Sequence, residues 1–265
     1  MSDVADWWRT DIIDMAPGKI RLRGQPIETL IGNVSFPQMI WLMLRGDLPS
    51  DGQTALFEAA LVAAVDHGPQ APSIAAVRMA VTCGLPLNNA MASAVNMLGD
   101  VHGGAGEQAI ELYRMVDEAG GPDAAEVTIE RWRSDRGAFL PGFGHRFHKP
   151  VDPRAPRLLA LVDQAVGDGV CDGRFAAIGR AIESVLAAQK GKPVPMNIDG
   201  ATAVIYAELG FEPPLARGLF CLSRSVGILA HAWEQRQQGG RNKGPTPPAY
   251  RWTYTGPNPI NESGG

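Results

Sequence analysis

The sequence has no long apolar run, few cysteines, little net charge and no block of one charge sign. Each absence removes a class of protein. The strongest apolar stretch, around residues 40–44, stops at Arg45, far short of the roughly 20 residues of a membrane-spanning helix. The first residues, MSDVADWWRTD, are polar and acidic and lack the basic region and apolar core of a secretory signal. A soluble, cytoplasmic protein is the expectation. Cysteine occurs only at Cys83, Cys171 and Cys221, with no CxxC pair, which argues against a disulfide framework or a cysteine zinc site and leaves three small apolar residues. The formal charge is -4, and charged residues, 20% of the chain, are spread along it. A broad nucleic-acid-binding surface is therefore excluded. No two of the five histidines stand four residues apart, so a helical metal site is missing as well, and no metal or redox cofactor is expected.

What is present is 265 residues, 45% of them hydrophobic, enough to bury a full core in one large domain or two smaller ones. Helical periodicity dominates. Phe57, Ala60, Leu61, Ala64 and Val65 share a face. Ser73 stands where it would cap a helix carrying Ile74, Val77 and Val81, with Gly84 to end it. Residues 89–98 are small enough for close helix packing, and 155–166 and 174–190 give two amphipathic helices. Leu215, Leu219, Leu222, Val226, Leu229 and Trp233 recur in steps of four and three, predicting a long core helix with little exposed surface. Only residues 19–23 alternate like a strand, a small ribbon near the start. The fold class predicted is all-α.

Four segments interrupt the helices with glycine, proline and polar residues: 65–72, 99–106, 140–155 and 191–200. Glycine-rich turns let backbone approach a ligand closely. His67, His102 and His145 lie in the first three, where a buried-core explanation is weak and acid, base or donor roles near neutral pH are open. His148 and His231 read as structural. Asp199, in the fourth, reads by itself as a cap for a helix beginning near Ala201. Arg146, Arg154 and Arg251 read individually as surface or ion-pair residues. Arg224 interrupts an apolar helix face, so it must meet an anion or a polar cavity: a substrate carboxylate, or a buried Glu or Asp.

Taken together, these residues resemble a known family. Leu98-Gly-Asp-Val-His102-Gly-Gly-Ala-Gly-Glu107 resembles the histidine loop of citrate synthases. Pro141-Gly-Phe-Gly-His145-Arg146, followed by Asp152-Pro-Arg154, resembles their second histidine motif, and Asn197-Ile-Asp199-Gly200 their catalytic aspartate motif. Ser223-Arg224-Ser-Val-Gly227 and Ala230-His231-Ala-Trp-Glu234-Gln235 resemble the C-terminal arginine-bearing helix. Asp66-His67-Gly-Pro69 looks like the first histidine motif of the citryl-CoA lyase module of ATP citrate lyase, and Gly200 also sides with that module. His102, by contrast, is a synthase-like residue.

The resemblance implies a two-domain helical fold, with 1–104 and 211–265 as the large domain and 105–210 as a small CoA-binding domain that closes over substrate. It implies Asp199 at the α-carbon proton of a CoA thioester, His102 at the thioester oxygen and His145 at the alcohol or ketone oxygen. His67 would hold the four-carbon acid, with Arg146, Arg154 and Arg224 on its carboxylates. Arg251, or failing that Arg241, would enter from a neighbouring subunit, which makes a homodimer the expected minimum. Gly103, Gly104, Gly142 and Gly144 would lie along CoA. The implied activity is reversible cleavage of citryl-CoA to acetyl-CoA and oxaloacetate. The alternatives are condensation of those two with thioester hydrolysis, a related acyl-CoA and 2-oxo acid reaction, and, last, a non-catalytic CoA-binding subunit.

Overall fold

The computed structural model describes residues 4–145, 147–242, 244, 247 and 249–257. A single turn, α1 (Val4–Trp7), precedes a three-stranded antiparallel sheet of β1 (Ile13–Ala16), β2 (Lys19–Leu22) and β3 (Gln25–Pro26). The expected ribbon is the central strand, with Ile13 opposite Leu22 and Ala16 opposite Lys19. All four residues of β1 are exposed, so the sheet adds little to the core. Arg23 ties it to the body, donating from Nε and Nη2 to the Met43 carbonyl at 3.1 and 2.8 Å.

Beyond the turn α2 (Ile27–Leu30), two serines start the main helices by satisfying first-turn N–H groups. Ser35 opens α3 (Phe36–Arg45) and Ser50 opens α4 (Asp51–Ala63), each in a reciprocal box with a glutamine three residues on. Next come α5 (Pro72–Thr82), α6 (Leu87–Val95), α7 (Ala105–Glu118), a 3-10 turn at Pro122–Ala124 and α8 (Ala125–Arg136). The chain continues through α9 (Arg154–Gly167), α10 (Arg174–Lys190), α11 (Ile198–Glu208) and α12 (Pro213–Gln238). The all-α prediction holds. Among the described residues no helix is long and apolar enough to cross a membrane.

The core is built around α11, where every residue from Ala201 to Ala207 is buried. It packs on α4, α7, α9 and α10, and an aromatic cluster of Trp41, Phe57, Tyr206 and Phe211 closes one end. The same core takes side chains from α4 and α12 as well as from α7 to α11. A second, smaller core joins α5 and α6 to the far half of α12 through Ile74, Val77, Ala90, Ala94, Ile228 and Ala232. Small residues on α6 permit that close approach, as expected.

Two readings of the helices need correction. Ser73 is not the cap of α5: the helix begins at Pro72, Ala71 holds the cap position, and no side chain caps it. Nor does α12 bury its whole apolar stripe, which goes inward only at its start, at Leu215 and Leu219. It turns Ala216, Leu219, Ser223, Arg224, Gly227, Ile228 and Ala232 inward, because small residues bring it close to α5 and α6. Leu222, Val226, Leu229 and Trp233 are left 43–59% exposed.

Candidate active site

The four irregular segments converge at one place. The turn after α4 carries His67, the loop before α7 carries His102, the loop between α8 and α9 carries His145, and the first turn of α11 carries Asp199. The last two are stitched together by backbone. Phe143 bridges Met196, Gly144 N–H donates to Pro195 O at 2.7 Å, and Asn197 N–H donates to Gly142 O at 2.9 Å. Gly142 and Gly200 face each other so closely that a Cβ on either would collide with the other's backbone, and Gly142 has φ +84°. Glycine is therefore required at both positions by the contact itself.

Asn197 holds the junction. Its Oδ1 accepts from the N–H groups of Asp199 and Gly200 at 3.0 and 3.2 Å, and its Nδ2 donates to Gly144 O at 2.9 Å. Asp199 is thus not the cap that its position suggested. Asn197 caps, α11 starts at Ile198, and the Asp199 carboxyl, in the first turn, makes no capping bond. Burial pushes the Asp199 carboxyl above the usual carboxylate range, against the pull of Arg224 and Arg154 and with help from Asp152.

The histidines are held in different ways. His102 Nε2 accepts the Ser73 backbone N–H at 3.2 Å and lies 3.0 Å from Ser73 Oγ. A backbone N–H can only donate, so the ring proton sits on Nδ1. Burial and Arg224 lower the His102 pKa and keep the ring neutral. At His145 the pattern is mirrored: Nδ1 accepts from the N–H groups of Phe147 and His148 at 3.1 and 3.0 Å, which puts the proton on Nε2. The His67 ring meets His145 edge-on at 5.3 Å, and its pKa is lowered by burial first, then by Arg154, Arg224 and its neighbouring histidines. His148, read as structural, has its ring 4.5 Å from that of His145 and joins the cluster.

Arg224 is buried at 4% exposure. Its Nε donates to Ala64 O at 3.1 Å and its guanidinium lies 4.7 Å over the Phe220 ring. Burial lowers its pKa, while Asp199 and Asp66 raise it. Among the described residues no carboxylate lies within ion-pair distance of Arg224, so the buried-partner alternative is not met. Arg154 is partly committed: it forks onto the fully buried Asp152 at 3.0 and 2.8 Å. Burial opposes ionisation of Asp152, but these bonds outweigh it and hold the carboxyl below the usual range.

Arg146 lies outside the described residues. Arg251 and Arg241 are exposed and, among the described residues, make no hydrogen bond or ion pair with the site. Gly103 and Gly104 pack against Leu98, Phe220 and Asp100, so local packing also accounts for these two glycines. Gly144 sits in the same loop as His145, with φ +78°. Among the described residues no three His, Cys, Asp or Glu are grouped to hold a metal ion. Sequence reasoning gave no role of their own to Asn197 and Asp66 and read Ser73 as a cap. For the first two, adjacency to Asp199 and His67 was the available signal.

An arrangement of neutral imidazoles with opposite tautomers, a half-buried carboxyl and a buried arginine with no carboxylate partner among the described residues suits proton transfer at carbon beside an anionic substrate. Known proteins point the same way. The family described as "Citrate synthase, C-terminal domain" matches residues 52–247, a span that holds every histidine discussed, Asp199 and Arg224. The chain belongs to the citrate synthase family. It is 32% identical to citrate synthase of Haloferax volcanii over 73% of its own length and 49% of that protein's. It is also 32% identical to citrate synthase of Deinococcus radiodurans, over 81% of this chain and 56% of the relative. The chain thus spans about half the length of the curated relatives it matches. Among solved structures, citryl-CoA lyase from Hydrogenobacter thermophilus superposes with TM-score 0.84 at 30% identity, covering 96% of this chain and 97% of that one. ATP citrate lyase from Methanothrix soehngenii shares the fold at TM-score 0.81 and 20% identity, covering 95% of this chain and 42% of that one.

Proposed function

We propose that the chain is a citryl-CoA lyase, cleaving citryl-CoA reversibly to acetyl-CoA and oxaloacetate. The observation that carries this reading is the meeting of Asp199, whose carboxyl burial pushes above its ordinary range, with His102 and with Arg224, which has no carboxylate at ion-pair distance among the described residues. Similarity over nearly the full length to a solved citryl-CoA lyase supports it.

In the condensing direction, the Asp199 carboxylate takes a proton from the methyl carbon of acetyl-CoA, and His102 Nδ1–H stabilises the enolate oxygen. The enolate carbon attacks the ketone of oxaloacetate, and His145 gives its Nε2 proton to the new alkoxide. Two backbone N–H groups on Nδ1 spread the negative charge that builds on the His145 ring. Cleavage is the reverse. The His145 ring without its Nε2 proton, the form those two N–H groups stabilise, takes the alcohol proton at Nε2, the carbon–carbon bond breaks into ketone and enolate, and Asp199 returns a proton to carbon. His67, Arg146, Arg154 and Arg224 hold the four-carbon acid.

The nucleotide end of CoA is assigned to a cavity of about 470 Å³ whose lining includes Leu140, Phe143 and Val194 together with Arg133 and Lys190. The outward stripe of α12 is assigned to a second copy of the chain, whose Arg251 completes the site.

The names of the curated relatives favour one competing reading, a citrate synthase that also hydrolyses the thioester. Purified protein given citryl-CoA should release oxaloacetate and acetyl-CoA without free thiol. Steady thiol release with citrate formation from acetyl-CoA and oxaloacetate would establish the synthase. Silence in both assays would remove both readings.

A further inference from the structure

His67 differs from its two partner histidines in how it is held. His102 and His145 each have a ring nitrogen bonded to backbone. Among the described residues neither ring nitrogen of His67 has a hydrogen-bond partner, so its direction must come from the turn that carries it. That turn is laid against one face of α12 at successive points. Ser223 Oγ donates to Leu61 O at 2.5 Å, and Arg224 Nε donates to Ala64 O at 3.1 Å. Gly227 lies so near the Val65 carbonyl that any Cβ there would collide with it. His231 Nε2 then lies 3.2 Å from Asp66 Oδ1.

Asp66 straps the turn. Its Oδ2 accepts the Gly68 N–H at 3.0 Å, and its carboxylate also accepts the N–H of His67 itself. Burial opposes ionisation there, but these bonds and His231 hold the carboxyl below the usual range. His231 is directed in turn. Arg78 Nη1 lies 3.2 Å from its Nδ1, and a guanidinium can only donate, so the ring proton is on Nε2 and points at Asp66. Glu234 and Gln238 fix the Arg78 guanidinium at 2.5 and 2.8 Å.

We infer that His231 is a positioning residue for the site: it fixes Asp66, and Asp66 fixes the backbone on either side of the His67 side chain. His231 touches no reacting atom. Its action is on the binding of the four-carbon acid, and the inference rests on the proposed role of His67 in holding that acid.

The test uses the full chain and two ligands measured separately by calorimetry, oxaloacetate and CoA. His231→Leu should weaken oxaloacetate binding about tenfold, the scale of one lost directing hydrogen bond, and leave CoA affinity within about twofold. His231→Gln, whose amide N–H still reaches Asp66, should recover most of the oxaloacetate affinity. A His231→Leu protein that melts lower yet binds oxaloacetate as the wild type does would overturn the inference. So would an equal loss for both ligands. If His231→Leu does not fold, Asp66→Asn carries the same prediction and the same refutation. A wild-type protein that binds CoA but not oxaloacetate would instead sink the role of His67, and with it the proposed function.

Discussion

At the scale of single residues, cleavage sets an awkward requirement: a protonated carboxyl at Asp199 and neutral imidazoles at His102 and His67 at one pH. Ordinary values of 3.8 for aspartate and 6.5 for histidine leave few molecules with both at neutral pH. Burial moves Asp199 up and His102 and His67 down, so both shifts widen the overlap. The acid limb of the cleavage rate should therefore lie below the ordinary imidazole range. A limb at or above about pH 6.5 would contradict the neutral-histidine assignment. The raised Asp199 pKa also has a consequence for stability. The folded state keeps a proton that the unfolded state releases, so stability falls as pH rises from the ordinary carboxylate range through the raised value. Asp199→Asn removes that penalty. It should raise the melting temperature at pH 7, by roughly 2–4 °C per kcal/mol relieved, while cleavage falls by about 10²–10⁴. An inactive variant that melts lower would show that burial is not the cause of the shift. That Asp199, His102 and His145 stand at breaks between helices was legible, because glycine and proline interrupt the helical period around each. Ser73 was not, because a serine before an apolar helix looks the same whether it caps that helix or holds a histidine 29 residues away.

Between residue and fold stands the junction of the His145 loop with α11. It depends on one asparagine and two facing glycines. Gly200→Ala must push the loop off the helix, and overpacking of this kind costs about 1–3 kcal/mol. Thermal melting should fall accordingly, and cleavage should fall further than citryl-CoA binding, because His145 and Asp199 move relative to each other. Asn197→Ala loses a helix cap, about 1 kcal/mol, together with the tether to Gly144. Equal activity in either variant would mean that the junction does not position the site. Most helices were legible from their period, α4, α5, α9 and α10 among them. Which face of α12 is covered was not. Periodicity marks the apolar stripe at Leu222, Val226, Leu229 and Trp233, but the depth of contact is set by small residues on α6 and by Gly227, on the other side of the helix.

For the whole molecule, that stripe and the segment of Tyr250, Trp252 and Tyr254 expose large apolar side chains, which is how interaction surfaces look. On the proposed pairing a second copy covers the stripe and each Arg251 completes the partner's site. Val226→Glu with Leu229→Glu should split the assembly in sedimentation and abolish cleavage together. Arg251→Ala should leave the assembly intact and still lose activity. The decisive version mixes defects. Coexpressed with Asp199→Asn, the Arg251→Ala chain forms hybrid pairs in which one of the two sites has an intact Asp199 from one subunit and an intact Arg251 from the other. Random pairing then restores about a quarter of wild-type activity, although each parent is inactive alone. No recovery in a verified hybrid would show that Arg251 does not act across the interface, and a cation from the partner would have to be sought at Arg241.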